Sequence, residues 1–186
     1  MTTNDLLGII EFLRQAEQLK TVVRTSWTSG GQPESVASHT WRLCLMALVL
    51  GPSFPEVDLG RLLQICIVHD LGEAIGGDIP AIRQDMNAPK AGQERNDLLM
   101  LVESLPAPLQ QTILALWDEY EAAASLEAKV AKALDKLETI LQHNQGANPP
   151  DFDYAFNLDY GKKFTNAVPL AALIRTILDE ETAQKA

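Results

Sequence analysis

The sequence has few of the features that direct a chain to a membrane, an oxidising compartment or polymeric nucleic acid. No apolar run reaches the roughly 18 residues that a membrane span needs. Met1 is followed by Thr-Thr-Asn-Asp rather than by the basic region of a signal peptide. The two cysteines, Cys44 and Cys66, lie in apolar stretches at a spacing that fits neither a zinc knuckle nor a CxxC site. These features predict a cytoplasmic protein with buried free thiols and no membrane contact.

Basic residues are also scarce. The 186 residues include 15 Lys and Arg against 25 Asp and Glu, which gives a net charge of −10. A surface of that charge repels a polyanion, so polymeric nucleic acid is excluded as a general partner. A small phosphorylated substrate remains compatible, because a metal ion and one or two Arg or Lys residues can make a local positive pocket.

Apolar periodicity predicts an all-α fold in a single domain. Leu6, Ile9 and Leu13 recur at helical spacing after a capping Thr3 or Asn4, and similar patterns follow along the chain. Glycines and prolines interrupt residues 20–34, which are interpreted as a long ordered loop, and 80–91, a polar segment interpreted as a mobile loop. No alternation is long enough to predict a strand. The predicted helices cover about 4–19, 35–51, 57–75, 92–104, 106–123, 125–143 and 167–183.

The predicted helix over 57–75 carries the most informative residues. Apolar side chains cover most of its circumference, which is typical of a buried helix. His69, Asp70 and Glu73 fall within one arc of this helix. Buried carboxylates need compensation, which either a structural ion-pair network or a bound cation could supply. Gly72 and the Gly76-Gly77 pair would allow the helix to unwind locally.

The three histidines of the chain differ in their predicted surroundings. His39 lies among apolar residues of the predicted second helix, so it points to an interior. A second buried histidine strengthens the interpretation of a metal site near His69. His143 stands among Gln142, Asn144 and Gln145 at a helix end, and it is predicted to be a capping or solvent-facing residue.

Four segments together carry a family resemblance. They are Glu34-Ser-Val-Ala-Ser-His39, Val68-His-Asp-Leu-Gly-Glu73, Gly77-Asp-Ile-Pro80 and Leu134-Asp-Lys136. Their order resembles the H…HD…D signature of the HD superfamily of metal-dependent phosphohydrolases. Residues 5–143 further resemble the YfbR-type 5′-deoxynucleotidases and their eukaryotic relatives, the HD domain-containing protein 2 group.

The resemblance implies an HD-type helical bundle with a metal site between buried helices. It implies hydrolysis of (deoxy)nucleoside 5′-monophosphates by a homodimer, with one divalent ion: cobalt, manganese, or iron, nickel, zinc or magnesium. Its motifs assign the metal to His39, His69, Asp70 and Asp135, catalysis to Glu73 and Asp78, and substrate contact to Arg24 and Trp27.

The residues alone leave several of these roles open. On a helical wheel Asp135 falls opposite the apolar face of its helix, so periodicity predicts a solvated charge. Trp27 could be a core tryptophan, Asp78 a turn cap and Arg24 a loop anchor, while Lys136 is interpreted as a surface lysine. Ser38 stands before His39 where relatives commonly carry an acidic residue, so the partners of His39 could differ here. Trp117, Asp118, Glu119 and Tyr120 fit either the core or a dimer contact.

Two other functions remain as alternatives. One keeps the metal but changes the substrate to a nucleoside triphosphate, a cyclic nucleotide or a polyphosphorylated nucleotide. The other is a non-catalytic regulatory HD domain, which the retention of all four ligand positions and Glu73 disfavours.

Overall fold

The computed structural model describes residues 1–78 and 90–186, with side chains from residue 92 onward in the second range. The described part is mainly helical, as the sequence predicted, and it also contains one small hairpin that the sequence did not predict. Two strands, β1 and β2, cover Val23–Trp27 and Pro33–Ser35. Helices α1 to α9 cover Thr3–Ala16, Val36–Leu50, Leu59–Val68, Glu73–Gly76, Lys90–Val102, Ala107–Ala122, Leu126–Gln145, Lys162–Thr165 and Pro169–Ala183. The loop predicted over 80–91 falls largely outside the described residues.

Helix α1 begins through a capping box. The Thr2 hydroxyl accepts a hydrogen bond from the Asp5 amide, and the Asp5 carboxylate accepts one from the Thr2 amide. This arrangement satisfies two amides that a helix start leaves without partners. The cap therefore lies one residue before the predicted Thr3. A short 3₁₀ turn, Glu17–Lys20, continues the helix to the predicted end.

The prediction that residues 20–34 form a loop without a strand was wrong. β1 and β2 pair antiparallel, with Val23 opposite Ser35 and Trp27 opposite Pro33. Strands of five and three residues are too short to show alternation in the sequence. Gly31, with φ of 77°, lies in the turn between them. The hairpin orients Arg24 and Ser26 toward α7.

The single helix predicted over 57–75 is two helices in the structure. α3 begins after Asp58, whose carboxylate accepts from the Arg61 amide, and it ends at Val68. Residues 69–72 form tight turns, and the Glu73 amide donates to the Asp70 carbonyl. Because of this break, the side chains around Asp70 do not point in the directions that one continuous helix would give them. Ile67 is 59% exposed, so α3 is not buried on all sides as its composition indicated.

Helix α7 forms the centre of the bundle. It contacts α2, α3, α6, α8 and α9, and it also contacts β1. Its buried apolar residues pack with Leu43 of α2 and Ile65 of α3 in the larger of two hydrophobic clusters. The side of α7 that the helical wheel predicts to be solvated is buried as well, because Ala128, Ala131 and Thr139 are covered. Among the described helices, none is both long and apolar enough to cross a bilayer.

The chain after α7 returns over this helix. A 3₁₀ turn, Ala155–Leu158, and α8 precede the final helix α9. Gly161 has φ of 68°, and a Cβ at this position would lie 2.6 Å from Cγ of Lys136. The glycine is therefore required both by its backbone conformation and by the close approach to α7.

We expect Gly161→Ala to lower the free energy of unfolding by about 1–3 kcal/mol, because both a positive φ and a steric overlap oppose the methyl group. Chemical denaturation followed by circular dichroism measures this change. Gly30→Ala is the matched control, since the nearest atom to its Cβ would be 3.8 Å away. Equal stability of Gly161→Ala and the wild-type protein would contradict the argument.

Candidate metal centre and adjoining cavity

His39, His69 and Asp70 converge at the centre of the bundle. The candidate ligand atoms of these three side chains all lie within 4.8 Å of one another. The two imidazole rings are 5.4 Å apart between centroids. His39 comes from α2, while His69 and Asp70 come from the turns after α3. The helix break thus brings the adjacent His69 and Asp70 side chains to one point.

Each histidine is oriented by a hydrogen bond at Nδ1. Nδ1 of His39 contacts a carboxylate oxygen of Glu138 on α7. Nδ1 of His69 lies 2.8 Å from the Cys66 carbonyl and donates to it. Both rings therefore turn Nε2 toward Asp70, at 3.8 Å from His39 and 3.0 Å from His69. A donor bond at Nδ1 fixes the tautomer that leaves Nε2 as a ligand.

Asp135 lies beside this group and is buried. Its Oδ1 is 3.2 Å from Nε2 of His39. Its Oδ2 accepts from the Tyr120 hydroxyl at 2.7 Å and lies 2.8 Å from Nζ of Lys136. Burial alone would raise the pKa of Asp135, but Lys136 and the histidines outweigh it and hold that pKa well below its usual range. The solvated charge that periodicity predicted for Asp135 is wrong, because residues 130–144 of α7 are covered on all sides of the helix.

Three buried atoms of the centre form no hydrogen bond within the described part of the chain. They are Nε2 of His39, Nε2 of His69 and Oδ2 of Asp70. Buried polar atoms are normally paired, so three convergent exceptions indicate a site for a cation. Two imidazole nitrogens with carboxylate oxygens fit a borderline divalent metal. The residues present therefore fit the metal that the sequence predicted.

A cavity of about 650 Å³ opens beside the centre. His69, Asp70 and Asp135 line it together with Arg24, and so do the predicted catalytic residues Glu73 and Asp78. Glu73 is buried in the first turn of α4, four residues after His69. Asp78 follows Gly77, whose φ of 77° turns the chain after α4.

Arg24 of β1 reaches into the cavity from the hairpin. Its Nη1 lies 3.6 Å from Oδ2 of Asp70, and its Nη2 donates to the Thr139 hydroxyl at 3.2 Å. Burial alone would lower the pKa of Arg24, but the surrounding carboxylates, led by Asp70, raise it above its usual value. The guanidinium is therefore a fixed positive charge next to the metal centre.

Trp27 is not among the residues that line the cavity. Its ring meets Phe152 edge-on at 6.3 Å, and Phe152 in turn packs on His143. Trp27 is half-buried at the end of β1. The structure thus brings seven of the eight predicted site residues to the centre or its cavity, whereas Trp27 does not line the cavity.

Two residues that the sequence placed at the surface belong to the interior. His143 was predicted to cap a helix or face solvent, yet its Nδ1 donates to Asn157 at 2.8 Å and its Nε2 accepts from Ser26 at 3.1 Å. Burial lowers its pKa, which favours the neutral ring. Lys136, interpreted as a surface lysine, is paired with Asp135 inside the cavity. Both predictions were wrong because the chain after α7 covers this face.

Sequence reasoning missed Glu138 altogether. It is fully buried, and its second carboxylate oxygen accepts from Arg42 at 2.6 Å while the first contacts His39. Its spacing of three residues from Asp135 puts both carboxylates on one face of α7, and that spacing was the available signal. Ser38, by contrast, bonds to the Ser35 hydroxyl at 2.9 Å, so the partner of His39 is Glu138.

The four residues 117–120 are divided between core and surface. Trp117 and Tyr120 are buried, and Tyr120 reaches the metal centre. Asp118 pairs with Arg95, and Glu119 pairs with Arg61.

Cys44 and Cys66 are free thiols, as predicted, and burial raises the pKa of both.

The sequence matches one family model and is similar to several named proteins. A family model for the HD domain matches residues 16–172. The 5′-deoxynucleotidase HDDC2 of Bos taurus is 38% identical over 140 residues, which cover 74% of this chain and 67% of that protein. The 5′-deoxynucleotidase hdd1 of Schizosaccharomyces pombe is 34% identical over 143 residues, covering 73% and 71% respectively.

A solved structure extends the similarity to nearly the full length. The "Predicted metal-dependent phosphohydrolase" of Magnetospirillum magnetotacticum MS-1 superposes with a TM-score of 0.84 at 28% identity. The match covers 98% of this chain and 95% of that one. The similarity therefore includes the C-terminal segment that packs over α7.

Proposed function

We propose a function for this chain, which belongs to the HD domain family. It is a metal-dependent phosphohydrolase, and it removes phosphate from deoxynucleoside 5′-monophosphates. The observation that carries this proposal is the convergence of three buried ligand atoms that form no hydrogen bond in the described part of the chain, beside a cavity that is also lined by Arg24 and Glu73. The names of the relatives supply the substrate class. The HD resemblance that the sequence motifs indicated is confirmed by the family match.

The metal would be held by His39, His69, Asp70 and Asp135. A divalent ion bound there would lower the pKa of a water ligand and polarise a phosphoryl oxygen. Hydrogen bonds from Tyr120 and Lys136 occupy Oδ2 of Asp135, which leaves Oδ1 directed toward His39 and the centre. The choice among manganese, cobalt, iron, nickel, zinc and magnesium stays a prediction.

The remaining residues have complementary roles in this proposal. Glu73 lines the cavity as a buried carboxylate and would accept the proton of the attacking water. Arg24, a fixed charge at 3.6 Å from Asp70, would bind the phosphate through its forked N–H groups. Asp78 would act as a second acidic residue at the cavity wall. Contact of Trp27 with the substrate stays a prediction, to be tested by Trp27→Phe.

The decisive assay measures phosphate release from paired ribo- and deoxyribonucleoside 5′-monophosphates. Chelator-treated protein receives each candidate metal separately. We expect inorganic phosphate to form only with metal, and more from the deoxy substrates. Release of pyrophosphate or tripolyphosphate from nucleoside triphosphates would favour the alternative substrate class. The absence of any phosphate, pyrophosphate or tripolyphosphate release with every metal and substrate would favour a regulatory HD domain.

We expect Glu138→Gln to weaken metal binding by about 10–100-fold, because the partner of a ligating histidine fixes its orientation and basicity. Metal titration with a competing chelator measures this affinity. The control is Glu103→Gln, which removes the same charge at an exposed position of the chain. Unchanged metal affinity in Glu138→Gln would show that His39 does not depend on Glu138.

Quaternary structure and location are predictions that derive from the resemblance and the sequence. We propose a homodimer in the cytoplasm. Exposed apolar side chains on α2, including Trp41 and Val49, each 67% exposed, offer a surface for a second copy. Light scattering at several protein concentrations tests the dimer.

A further inference from the structure

Two aromatic rings form a wall of the cavity. Phe156 and Tyr160 both line it, and their ring centroids are 5.3 Å apart with an interplanar angle of 33°. Both residues are half-buried. Phe156 belongs to neither hydrophobic cluster of the described residues. These rings therefore present apolar surface to a cavity that is otherwise rich in charge.

The ring pair lies close to the metal centre. Nζ of Lys136 is 2.8 Å from Oδ2 of Asp135 and 5.3 Å from the centroid of the Tyr160 ring. One lysine head group thus separates the predicted ligand Asp135 from the aromatic wall. In a nucleotide, one sugar separates the phosphate from the base. A phosphate at a metal held by Asp135 would have these rings on the other side of Lys136, where the base of a nucleotide would extend.

The backbone that carries the rings is held by a buried arginine. Arg175 of α9 is 3% exposed and donates to the carbonyls of Asn157, Leu158 and Tyr160 at 2.6, 2.8 and 2.6 Å. The Asn157 side chain accepts from His143, which fixes the same turn to α7. A wall fixed before the ligand arrives loses little conformational entropy on binding.

We infer that Phe156 and Tyr160 form the subsite for the nucleobase, an inference that rests on the function proposed above. The rings would stack on a face of the base, and the Lys136 ammonium beside Tyr160 adds positive charge at the edge of the subsite. Every base has a π face, so stacking accepts purines and pyrimidines alike. The wall therefore binds a base without selecting strongly among bases.

The test compares deoxynucleoside monophosphates with 2-deoxyribose 5-phosphate, which has the same phosphate and sugar but no base. In metal-loaded protein, Tyr160→Leu and Phe156→Leu should each reduce kcat/KM for the nucleotides about tenfold, the effect of losing one stacking partner. The value for 2-deoxyribose 5-phosphate should stay unchanged. Tyr160→Phe keeps the ring and should retain activity on the nucleotides.

Leu173→Ala is the control, because Leu173 of α9 is a 67% exposed apolar residue that does not line this cavity. It should leave both substrates unaffected. Equal loss on nucleotides and on 2-deoxyribose 5-phosphate, or no loss on either, would overturn the base subsite while leaving the proposed function intact. A wild-type protein that releases phosphate from none of these compounds would overturn the proposed function and the subsite together.

Discussion

Asp70→Asn should remove the metal from the purified protein and abolish phosphate release. Oδ2 of Asp70 lies 3.0 Å from Nε2 of His69 and 3.8 Å from Nε2 of His39, and it has no hydrogen bond among the described residues. An amide has the same shape but no charge to offset that of a cation. Loss of a residue that merely orients a ligand costs about 10–100-fold in metal affinity, so loss of a ligand should exceed that range.

Elemental analysis of the variant and the wild-type protein measures this effect directly. Asp118→Asn provides the control, because Asp118 forms an exposed ion pair with Arg95 away from the centre. The side-chain amide keeps the shape of the carboxylate, and circular dichroism of the variant checks that the fold is retained. A full complement of metal in Asp70→Asn would remove Asp70 from the ligand set.

Glu73→Gln should also lose turnover, but unlike Asp70→Asn it should keep its metal. Glu73 is 2% exposed and lines the cavity together with His69. Loss of a general base typically costs about 10²–10⁴-fold in rate. We therefore expect kcat to fall by about that factor while the metal content stays at the wild-type level.

Glu121→Gln separates the role of Glu73 from a general effect of charge. Glu121 also lines the cavity but pairs with Lys132 at its rim, at 3.0 Å. It should keep most of the wild-type kcat. Wild-type turnover in Glu73→Gln would mean that another group accepts the proton, and Asp78 would then be the residue to replace.

The sequence predicted the helical bundle well because its apolar periodicity is local information. The helices around His39 and Asp135 needed only that pattern and their caps. The two-strand hairpin could not be predicted this way, because its stability comes from pairing Val23 with Ser35 across a turn. Strands this short carry no pattern of their own.

In the candidate site, too, the residues that depend on local sequence could be predicted, and those that depend on distant contacts could not. His69 and Asp70 are adjacent in the chain, so their convergence followed from local sequence. Lys136 is half-covered by the segment around Gly161, which packs on α7 from 25 positions further along the chain, and Asp135 is buried beside Lys136 and Tyr120. A helical wheel of α7 cannot show that contact, because it includes only the residues of α7. The family motif supplied Asp135 where periodicity pointed to solvent.

The hydrogen bonds of Arg175 have a consequence for the order in which the enzyme is assembled. Every proposed metal ligand has been synthesised once Asp135 has left the ribosome. The aromatic wall, however, is fixed only after α9 has formed and its arginine has reached the carbonyls of residues 157–160. The chain therefore contains every proposed metal ligand before it contains the arginine that holds the aromatic wall in place.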